Sequence, residues 1–259
     1  MGLLKNIISF LLILSKPSSF SEKEPQIPFI ITKVTNPVYI AHPALVKRIN
    51  STSTIIMSES YITVVESQTD VYMATELIKA IRKKISRLPI KYLIFSHFHT
   101  DHILGAGAFL KENPSITIIA HQKTAEHIGA YTMNEQKSWG DEIKRKSIDA
   151  RNQAILTKSE ENKNCLLKAA DEFDTYYRDI KTSVIVLPNL TFTDSLGLYD
   201  KYFNIQLRWL GAGHTPGDIV VIVPQDKVLI TGDLVHDFEP LFWDADPDSW
   251  IQVLEKIKQ

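Results

Sequence analysis

The sequence predicts a mixed α/β (α+β) fold, and three observations support this prediction. Short apolar runs of strand length alternate with amphipathic segments of helical period. A charged, helix-favouring segment from 131 to 181 separates two groups of strand patterns, as a helical excursion over the main domain. The chain has 259 residues, of which 44% are hydrophobic and 23% charged, enough to bury a core in one large domain or two modest ones.

The elements of the first half begin with two strands. Residues 55–57 and 62–65 are apolar and β-branched, and a polar turn joins them. Residues 70–86 follow as an amphipathic helix, which Pro89 ends. Residues 92–95 form a short, fully apolar run, which predicts a buried strand.

Later elements alternate in the same way. Residues 103–111 suit a short helix, 116–120 predict another buried strand, and a second long helix begins at Thr124. Asp246, followed by Pro247, starts a last helix near the end of the chain. Strand patterns return after the excursion at 184–187, 205–210, 219–223 and 228–230.

The first residues are typical of an export signal. Lys5 gives a small positive start, residues 7–14 form a short apolar core, and 19–21 offer a cleavage site. The apolar run is far shorter than the ~20 residues that a membrane span needs. We therefore expect a signal peptide over 1–21, a linker over 22–29 and one domain over 30–259, in a protein exported to the periplasm or secreted.

Charge and cysteine content exclude several kinds of partner and site. The net charge of -1 creates no field that would attract nucleic acid or anionic lipid. The single cysteine excludes an intramolecular disulfide and a thiolate zinc site. The expected partner is a small-molecule substrate, and the composition fixes no oligomeric state.

Potential metal ligands directly follow the predicted strand at 92–95. Four of them fall within six residues: His97, His99, Asp101 and His102. A strand end is a rigid support that can hold side chains in a fixed geometry. Alternate residues on extended backbone point the same way, so His97 and His99 can hold one ion. Asp101 and His102 follow on the turn and can reach a second ion. Imidazole and carboxylate ligands suit zinc or iron.

Two later segments repeat this design. His214 lies in a glycine-rich turn between two predicted strands, and Asp233 comes directly after the strand at 228–230. The neighbouring glycines let the backbone approach an ion closely. Either segment alone is typical of an ordinary turn. Together with the first cluster they predict one site.

These motifs resemble the signature of the metallo-β-lactamase superfamily. The signature is His-x-His-x-Asp-His, here at 97–102, then Gly-His-Thr at 213–215 and Thr-Gly-Asp at 231–233. The resemblance covers the chain from about residue 30 to its end. It implies a four-layer αββα sandwich, in which two β-sheets pack face to face with helices outside.

The resemblance also implies a site for two zinc ions, and iron is compatible with the same ligands. His121 matches a common family position that is not a ligand. The implied first metal site consists of His97, His99 and His214. The implied second site contains Asp101 and His102, and Asp233 bridges the two ions.

The branch of the family follows from Asp233. Members that open β-lactam rings generally lack this bridging aspartate, so the chain is more similar to glyoxalase II and lactonases. The implied activity is a zinc-dependent hydrolase in which a metal-bound hydroxide, oriented by Asp101 as catalytic residue, attacks an ester, thioester or lactone. Three alternatives stay open: a truncated or inactive member, an iron-dependent oxygenase of sulfur compounds, and a β-lactamase.

The sequence departs from the family pattern at two places. A further metal-binding histidine is expected after the last helix, but that helix ends near Lys258 and is the last element. We therefore expect a domain that is incomplete at its C-terminus, lacking its last strand and helix, with a weaker second site for which His236 could compensate. Glu66 stands where the family usually has an aspartate.

Overall fold

The computed structural model describes residues 28–44, 51–201, 203–236 and 242–258. The predicted signal peptide over 1–21 lies outside these residues, as does the predicted linker up to residue 27. The first strand begins at Phe29, whose side chain is buried in the core. In the part of the chain that is described, no helix is both long and apolar enough to span a membrane.

The larger sheet has its strands in chain order. β1 to β4 are antiparallel, whereas β4 to β7 run parallel and are joined by helical crossovers. The carboxyl ends of the parallel strands therefore lie at one edge of the sheet. The strands are β1 (Phe29–Lys33), β2 (Val38–Pro43), β3 (Ser53–Met57), β4 (Ile62–Val65), β5 (Ile90–Ile94), β6 (Thr117–His121) and β7 (Leu190–Phe192).

The smaller sheet is antiparallel throughout, in the order β11-β10-β9-β8. Short connections join two of its three neighbouring pairs, as antiparallel pairing allows, and a longer loop over 210–218 joins the third. Among the described residues β11 forms one edge. The strands are β8 (Ser195–Tyr199), β9 (Asn204–Trp209), β10 (Ile219–Val223) and β11 (Val228–Ile230).

Four of the six described helices begin at a residue whose side chain accepts a hydrogen bond from a free backbone N–H group. Asp70 accepts a hydrogen bond from the Met73 backbone, and Asp246 accepts one from the Ser249 backbone. The helices are α1 (Val71–Lys84), α2 (Thr100–Ile103), α3 (Ala106–Glu112), α4 (Gln122–Leu156), α5 (Glu160–Thr182) and α6 (Pro247–Ile257).

Three apolar clusters separate four layers. Neighbouring residues of one strand face opposite sides of the sheet, so Ile55 packs under the helices and Ile56 packs between the sheets. The third cluster joins the smaller sheet to α6 through Val220 and Trp250. The order of layers is helices, larger sheet, smaller sheet, helix. This is the αββα sandwich that the resemblance implied.

Most of the predicted elements are confirmed, but one is wrong. Residues 184–187 form no strand, although their sequence is apolar. Ile185 and Val186 cover the helix-side core as irregular chain, and the edge position in the sheet goes instead to β7, after Pro188. Four strands were not predicted: β1, β2, β7 and β8.

The predicted excursion corresponds to α4 and α5, which pack against each other. With 35 residues, α4 is about 50 Å long. An ion-pair network joins the two helices, in which Lys144 and Arg151 of α4 reach Asp174 of α5. The first turns of α4 lie on the main domain, next to the histidine-rich loop described below.

Candidate metal centre

The candidate centre lies where chain segments from both sheets end at the same edge. The loop after β5 carries the first histidine motif, the β9–β10 loop carries His214, and a short 3-10 turn after β11 carries Asp233. These segments are far apart in sequence, and the face-to-face packing of the two sheets brings them together.

Three imidazole rings converge in a three-histidine group formed by His97, His99 and His214. His97 Nε2 lies 3.1 Å from His99 Nδ1, and His214 Nε2 lies 3.0 Å from the same atom. His97 and His214 are buried, whereas His99 is partly exposed. The open side of the group is therefore at His99.

A second, mixed group is formed by His97, His102 and Asp233. Asp233 Oδ2 lies 3.5 Å from His102 Nε2 and 3.8 Å from His214 Nε2, so this carboxylate stands between the two groups. Asp101 is beside the mixed group, with Oδ2 3.4 Å from His102 Nε2. All six residues that the sequence predicted as ligands thus lie in one cluster.

The donor set fits a divalent transition metal. Three nitrogens that bind one tetrahedral zinc ion at ~2.0–2.1 Å stand about 3.3 Å apart, close to the separations in the three-histidine group. The donors are imidazole nitrogens and carboxylate oxygens, which zinc and iron accept readily. His97, His99 and His214 would hold one ion, and His102 with Asp101 and Asp233 would hold another.

The outer nitrogens of two rings of the three-histidine group also have partners. Ser96 Oγ lies 2.9 Å from His97 Nδ1, and Asp244 Oδ2 lies 3.1 Å from His99 Nε2. Contacts of this kind fix the tautomer and the orientation of a metal-binding ring. The sequence analysis missed Asp244, because an acidic residue in a loop 145 positions from its partner has no local signal.

Glu66 occupies the place of the usual family aspartate. Its Oε2 lies 3.2 Å from His102 Nδ1, an ion-pair contact between two buried groups rather than a well-directed hydrogen bond. The backbone of Glu66 has a φ of 71°, which is unfavourable for a residue with a side chain. The longer side chain therefore reaches His102 from a strained backbone position.

Buried serines from two segments of the chain hold the turn that carries Asp101 and His102. Ser67 donates two hydrogen bonds to the His102 carbonyl, from its backbone N at 2.7 Å and from Oγ at 2.9 Å. Ser51 Oγ donates to the Asp101 carbonyl at 2.8 Å. These bonds fix the backbone of α2, and with it the directions of both side chains.

The His214 loop is closed by a buried carboxylate. Asp218 accepts hydrogen bonds from the Thr215 backbone at 2.6 Å and from Thr215 Oγ1 at 2.9 Å. Burial raises the pKa of Asp218 to about 7, against these two hydrogen bonds. This contact fixes the turn directly after His214.

Charges in the centre divide the rings into two kinds. Burial, reinforced by the neighbouring histidines, holds the pKa of His97 well below its usual value and lowers that of His214 to about 4. Burial would also lower the pKa of His102, but the carboxylates of Asp101, Glu66 and Asp233 outweigh burial and hold it well above the usual value. Two rings are therefore neutral and ready to bind metal, whereas the third holds a proton without metal.

The pKa values of two carboxylates in the centre shift in the opposite direction to that of His102. Burial would raise the pKa of Asp101 and of Asp233, but neighbouring imidazole rings, chiefly His102, outweigh it and lower both. Both groups are consequently ionised at neutral pH, as ligands of a cation must be.

The other histidines of the described chain lie outside the two groups. His121 begins α4, accepts a hydrogen bond from the Lys123 backbone and stacks on Trp209. The ring of His236 is 6.4 Å from that of His214. His42 lies on β2 and contacts Thr52.

The chain is similar in sequence to two curated proteins. A linear primary-alkylsulfatase of Pseudomonas sp. is 25% identical over 189 residues, 68% of this chain and 33% of that protein. A type 2 metallo-beta-lactamase of Bacteroides fragilis is 32% identical over 82 residues, 30% of this chain and 33% of that protein. The matches thus span about a third of the length of each relative.

Solved structures share the fold. A metallo-beta-lactamase from Pontibacter korlensis superposes with a TM-score of 0.62 at 17% identity, over 89% of this chain and 85% of that chain. The DIM-1 metallo-beta-lactamase gives a TM-score of 0.58 at 17% identity, over 90% and 84%. A family model described as the metallo-beta-lactamase superfamily matches residues 47–259. The chain therefore belongs to the metallo-beta-lactamase superfamily.

Proposed function

We propose that this protein is a metal-dependent hydrolase that uses water to cleave an ester, thioester or lactone. One observation carries the proposal: the three-histidine group and the mixed group share His97 at one edge of the sandwich, and Asp233 of the mixed group also approaches His214, with Asp101 beside them. Both curated relatives are hydrolases by name, which supports the reaction class.

The roles of the chain's own residues follow from their surroundings. When bound, metal ions would supply Lewis acidity and a water molecule of lowered pKa. Asp101 is ionised and its side chain is 26% exposed, so it can accept a hydrogen bond from the attacking water and orient it. His99 is on the open side of the three-histidine group, where a substrate carbonyl would approach.

Zinc is the proposed metal, and iron is the alternative. The donor set contains no thiolate, and both metals accept imidazole and carboxylate. Elemental analysis of protein purified without chelators tests this choice. Two zinc ions per chain are expected. Iron in their place, with oxygen consumption on a persulfide, would support the alternative oxygenase.

A sulfate ester is a second candidate substrate. The alkylsulfatase of Pseudomonas sp. matches 68% of this chain, more than twice the share matched by the β-lactamase. Bound metal ions would present positive charge, which can stabilise the leaving oxygen of a sulfate ester as well as the carbonyl oxygen of a carboxylic ester.

The test is a substrate panel with zinc-loaded protein. The panel contains carboxylic esters, thioesters, lactones, primary alkyl sulfates and β-lactams, compared between wild type, His214→Ala and the control His42→Ala. We expect turnover of a carboxylic ester, thioester, lactone or sulfate ester that His214→Ala abolishes and His42→Ala leaves unchanged. Metal-loaded wild type inert on every class would show an inactive member and contradict the proposal.

Export remains part of the proposal. The N-terminal residues 1–21 carry the sequence features of a signal peptide. Expression of the full chain in a bacterium, followed by fractionation and N-terminal sequencing, tests this. A mature N-terminus near residue 22 outside the cytoplasm supports export, and an intact Met1 in the cytoplasm contradicts it.

A further inference from the structure

We propose that one face of α4, formed by Thr124 and His127, is a brace that holds the two histidine-bearing loops at the spacing the three-histidine group requires. The two residues are three positions apart, so they lie on the same side of the helix. Each contacts a different loop of the centre. The inference rests on the proposed function only in requiring that His97, His99 and His214 bind metal.

His127 contacts the first loop through Phe98. The two rings stack face to face, with centroids 3.4 Å apart and an angle of 5° between their planes. Phe98 is buried and stands between His97 and His99 in sequence. Because Phe98 is joined through the backbone to both histidines, a displaced Phe98 would move both neighbouring imidazoles.

Glu135 keeps the His127 ring in place. Its Oε1 lies 2.6 Å from His127 Nε2, two turns further along the same helix. The His127 side chain is 20% exposed: Phe98 stacks on its ring, the Tyr131 ring lies 4.9 Å away and Glu135 contacts its edge. These contacts hold the His127 ring parallel to the ring of Phe98.

Thr124 contacts the second loop, which carries His214. Its Oγ1 donates to the Gly217 carbonyl at 3.0 Å, and both groups are buried. Gly217 approaches α4 so closely that a Cβ there would stand 2.8 Å from the Thr124 backbone nitrogen. Only a glycine allows this contact, so the loop that carries His214 packs directly against the start of α4.

The brace is independent of the hydrogen bonds already described. Ser96 and Asp218 fix their loops from within, because Ser96 contacts the ring of the adjacent His97 and Asp218 bonds to Thr215, the residue after His214. Thr124 and His127 instead relate one loop to the other through a rigid helix. The distance between His99 Nδ1 and His214 Nε2, 3.0 Å, is the quantity that they set.

The experiment measures zinc affinity by competition with a chromophoric chelator, and the ligand field by the visible spectrum of the cobalt(II) protein. The variants are His127→Ala, His127→Phe, which keeps a stacking ring, Thr124→Val, which keeps the shape, and Thr124→Ser, which keeps the hydroxyl. Two controls lie on the same helix. Asn134→Ala is an exposed change, and Ile143→Val weakens the buried face of α4 without touching either loop.

We expect His127→Ala and Thr124→Val to weaken the tightest zinc site about 10-fold, the lower end of what loss of an orienting contact costs. Their cobalt spectra should shift, and His127→Phe and Thr124→Ser should restore both readouts. Ile143→Val should lower the melting temperature of the apoprotein without changing zinc affinity.

Two results would contradict the proposed role of Thr124 and His127. The first is that His127→Ala and Thr124→Val bind zinc as tightly as wild type and give unchanged cobalt spectra. The second is a loss of affinity in Ile143→Val equal to theirs, which would assign the effect to general destabilisation. Failure of the proposed function is distinguishable from both, because wild-type protein would then bind no metal or turn over no substrate.

Discussion

Glu66 Oε2 lies 3.2 Å from His102 Nδ1, so the ring of His102 is flanked by carboxylates on both nitrogens. On its other side, Nε2 is 3.4 Å from Asp101 and 3.5 Å from Asp233. No ring of the three-histidine group is surrounded by negative charge in this way. The two groups of the centre are therefore expected to differ in proton content and in their sensitivity to Glu66.

Replacing Glu66 with glutamine should weaken the mixed group selectively. The amide keeps the size of the side chain but loses the charge that orients His102, and such losses cost about 10- to 100-fold in metal affinity. Zinc titration should show one site unchanged and one weakened. Equal weakening of both sites would contradict the separate roles assigned to the two groups.

Metal loading should release more protons in the second step than in the first. His97 and His214 have lowered pKa values and are neutral at pH 7, so the first ion displaces no proton from them. The pKa of His102 is raised, so without metal this ring is protonated at pH 7, and metal binding requires its neutral form. Calorimetry in buffers of different ionisation enthalpy counts the protons, and the second ion should release about one more proton than the first. Equal release in both steps would contradict the assignment.

Loss of Asp244 should weaken the three-histidine group. Asp244→Ala leaves His99 Nε2 without its partner at 3.1 Å, and the ring can then rotate. Because this pair is exposed to solvent, we expect a loss of about 10-fold in zinc affinity, the lower end of the range for contacts that orient a metal ligand. Asp248→Ala, an exposed change in the same segment, is the control. An unchanged zinc dissociation constant in Asp244→Ala would show that the contact does not orient His99.

Asp218 should make the apoprotein less stable as pH rises toward neutrality. The pKa of Asp218 is about 7 when folded and 3.8 ordinarily, so between these values the folded protein holds a proton that the unfolded chain has released. The free energy of unfolding therefore falls as pH rises through this window. The accumulated loss is on the order of 4 kcal/mol, at about 1.4 kcal/mol for each unit of pKa.

The variant Asp218→Asn isolates this effect, because asparagine cannot titrate. Chemical denaturation of both apoproteins from about pH 4 to about pH 7 should show the stability of wild type relative to the variant decreasing with pH, then levelling. The histidines contribute equally to the pH dependence of stability in both proteins, so their contributions cancel in the difference. A difference that does not vary with pH would contradict the raised pKa.

Gly232→Ala should destabilise the fold and disturb the centre together. Gly232 has a φ of +52°, where an alanine costs roughly 1–2 kcal/mol. Its Cβ would also stand 2.7 Å from Ser96 Cβ, next to the hydroxyl that contacts His97. We expect a lower melting temperature and weaker zinc binding.

Gly107→Ala is the matched control for this change. Gly107 lies inside α3, and a Cβ there meets nothing closer than 3.8 Å. Alanine should stabilise the helix by roughly 0.5–1 kcal/mol and leave zinc binding unchanged. If the two variants behaved alike, backbone conformation at Gly232 would not be the cause.

The sequence by itself determined the local part of the site. His97, His99, Asp101 and His102 could be placed at a strand end, because strand length, apolar character and two-residue alternation are properties of a few consecutive residues. The same reasoning predicted β3 to β6, α1 and α6. It predicted a strand at 184–187 wrongly, because an apolar run shows that residues are buried but not what covers them.

Only the tertiary structure decided which distant residues complete the site. Glu66, Asp244 and the pair Thr124–His127 reach the histidines through sheet register, layer packing and the seating of α4, none of which leaves a pattern in neighbouring residues. Contacts across tens to more than a hundred positions depend on how whole elements are arranged. The sequence therefore determined which residues can bind metal, and the packing of the sandwich decided how they are held.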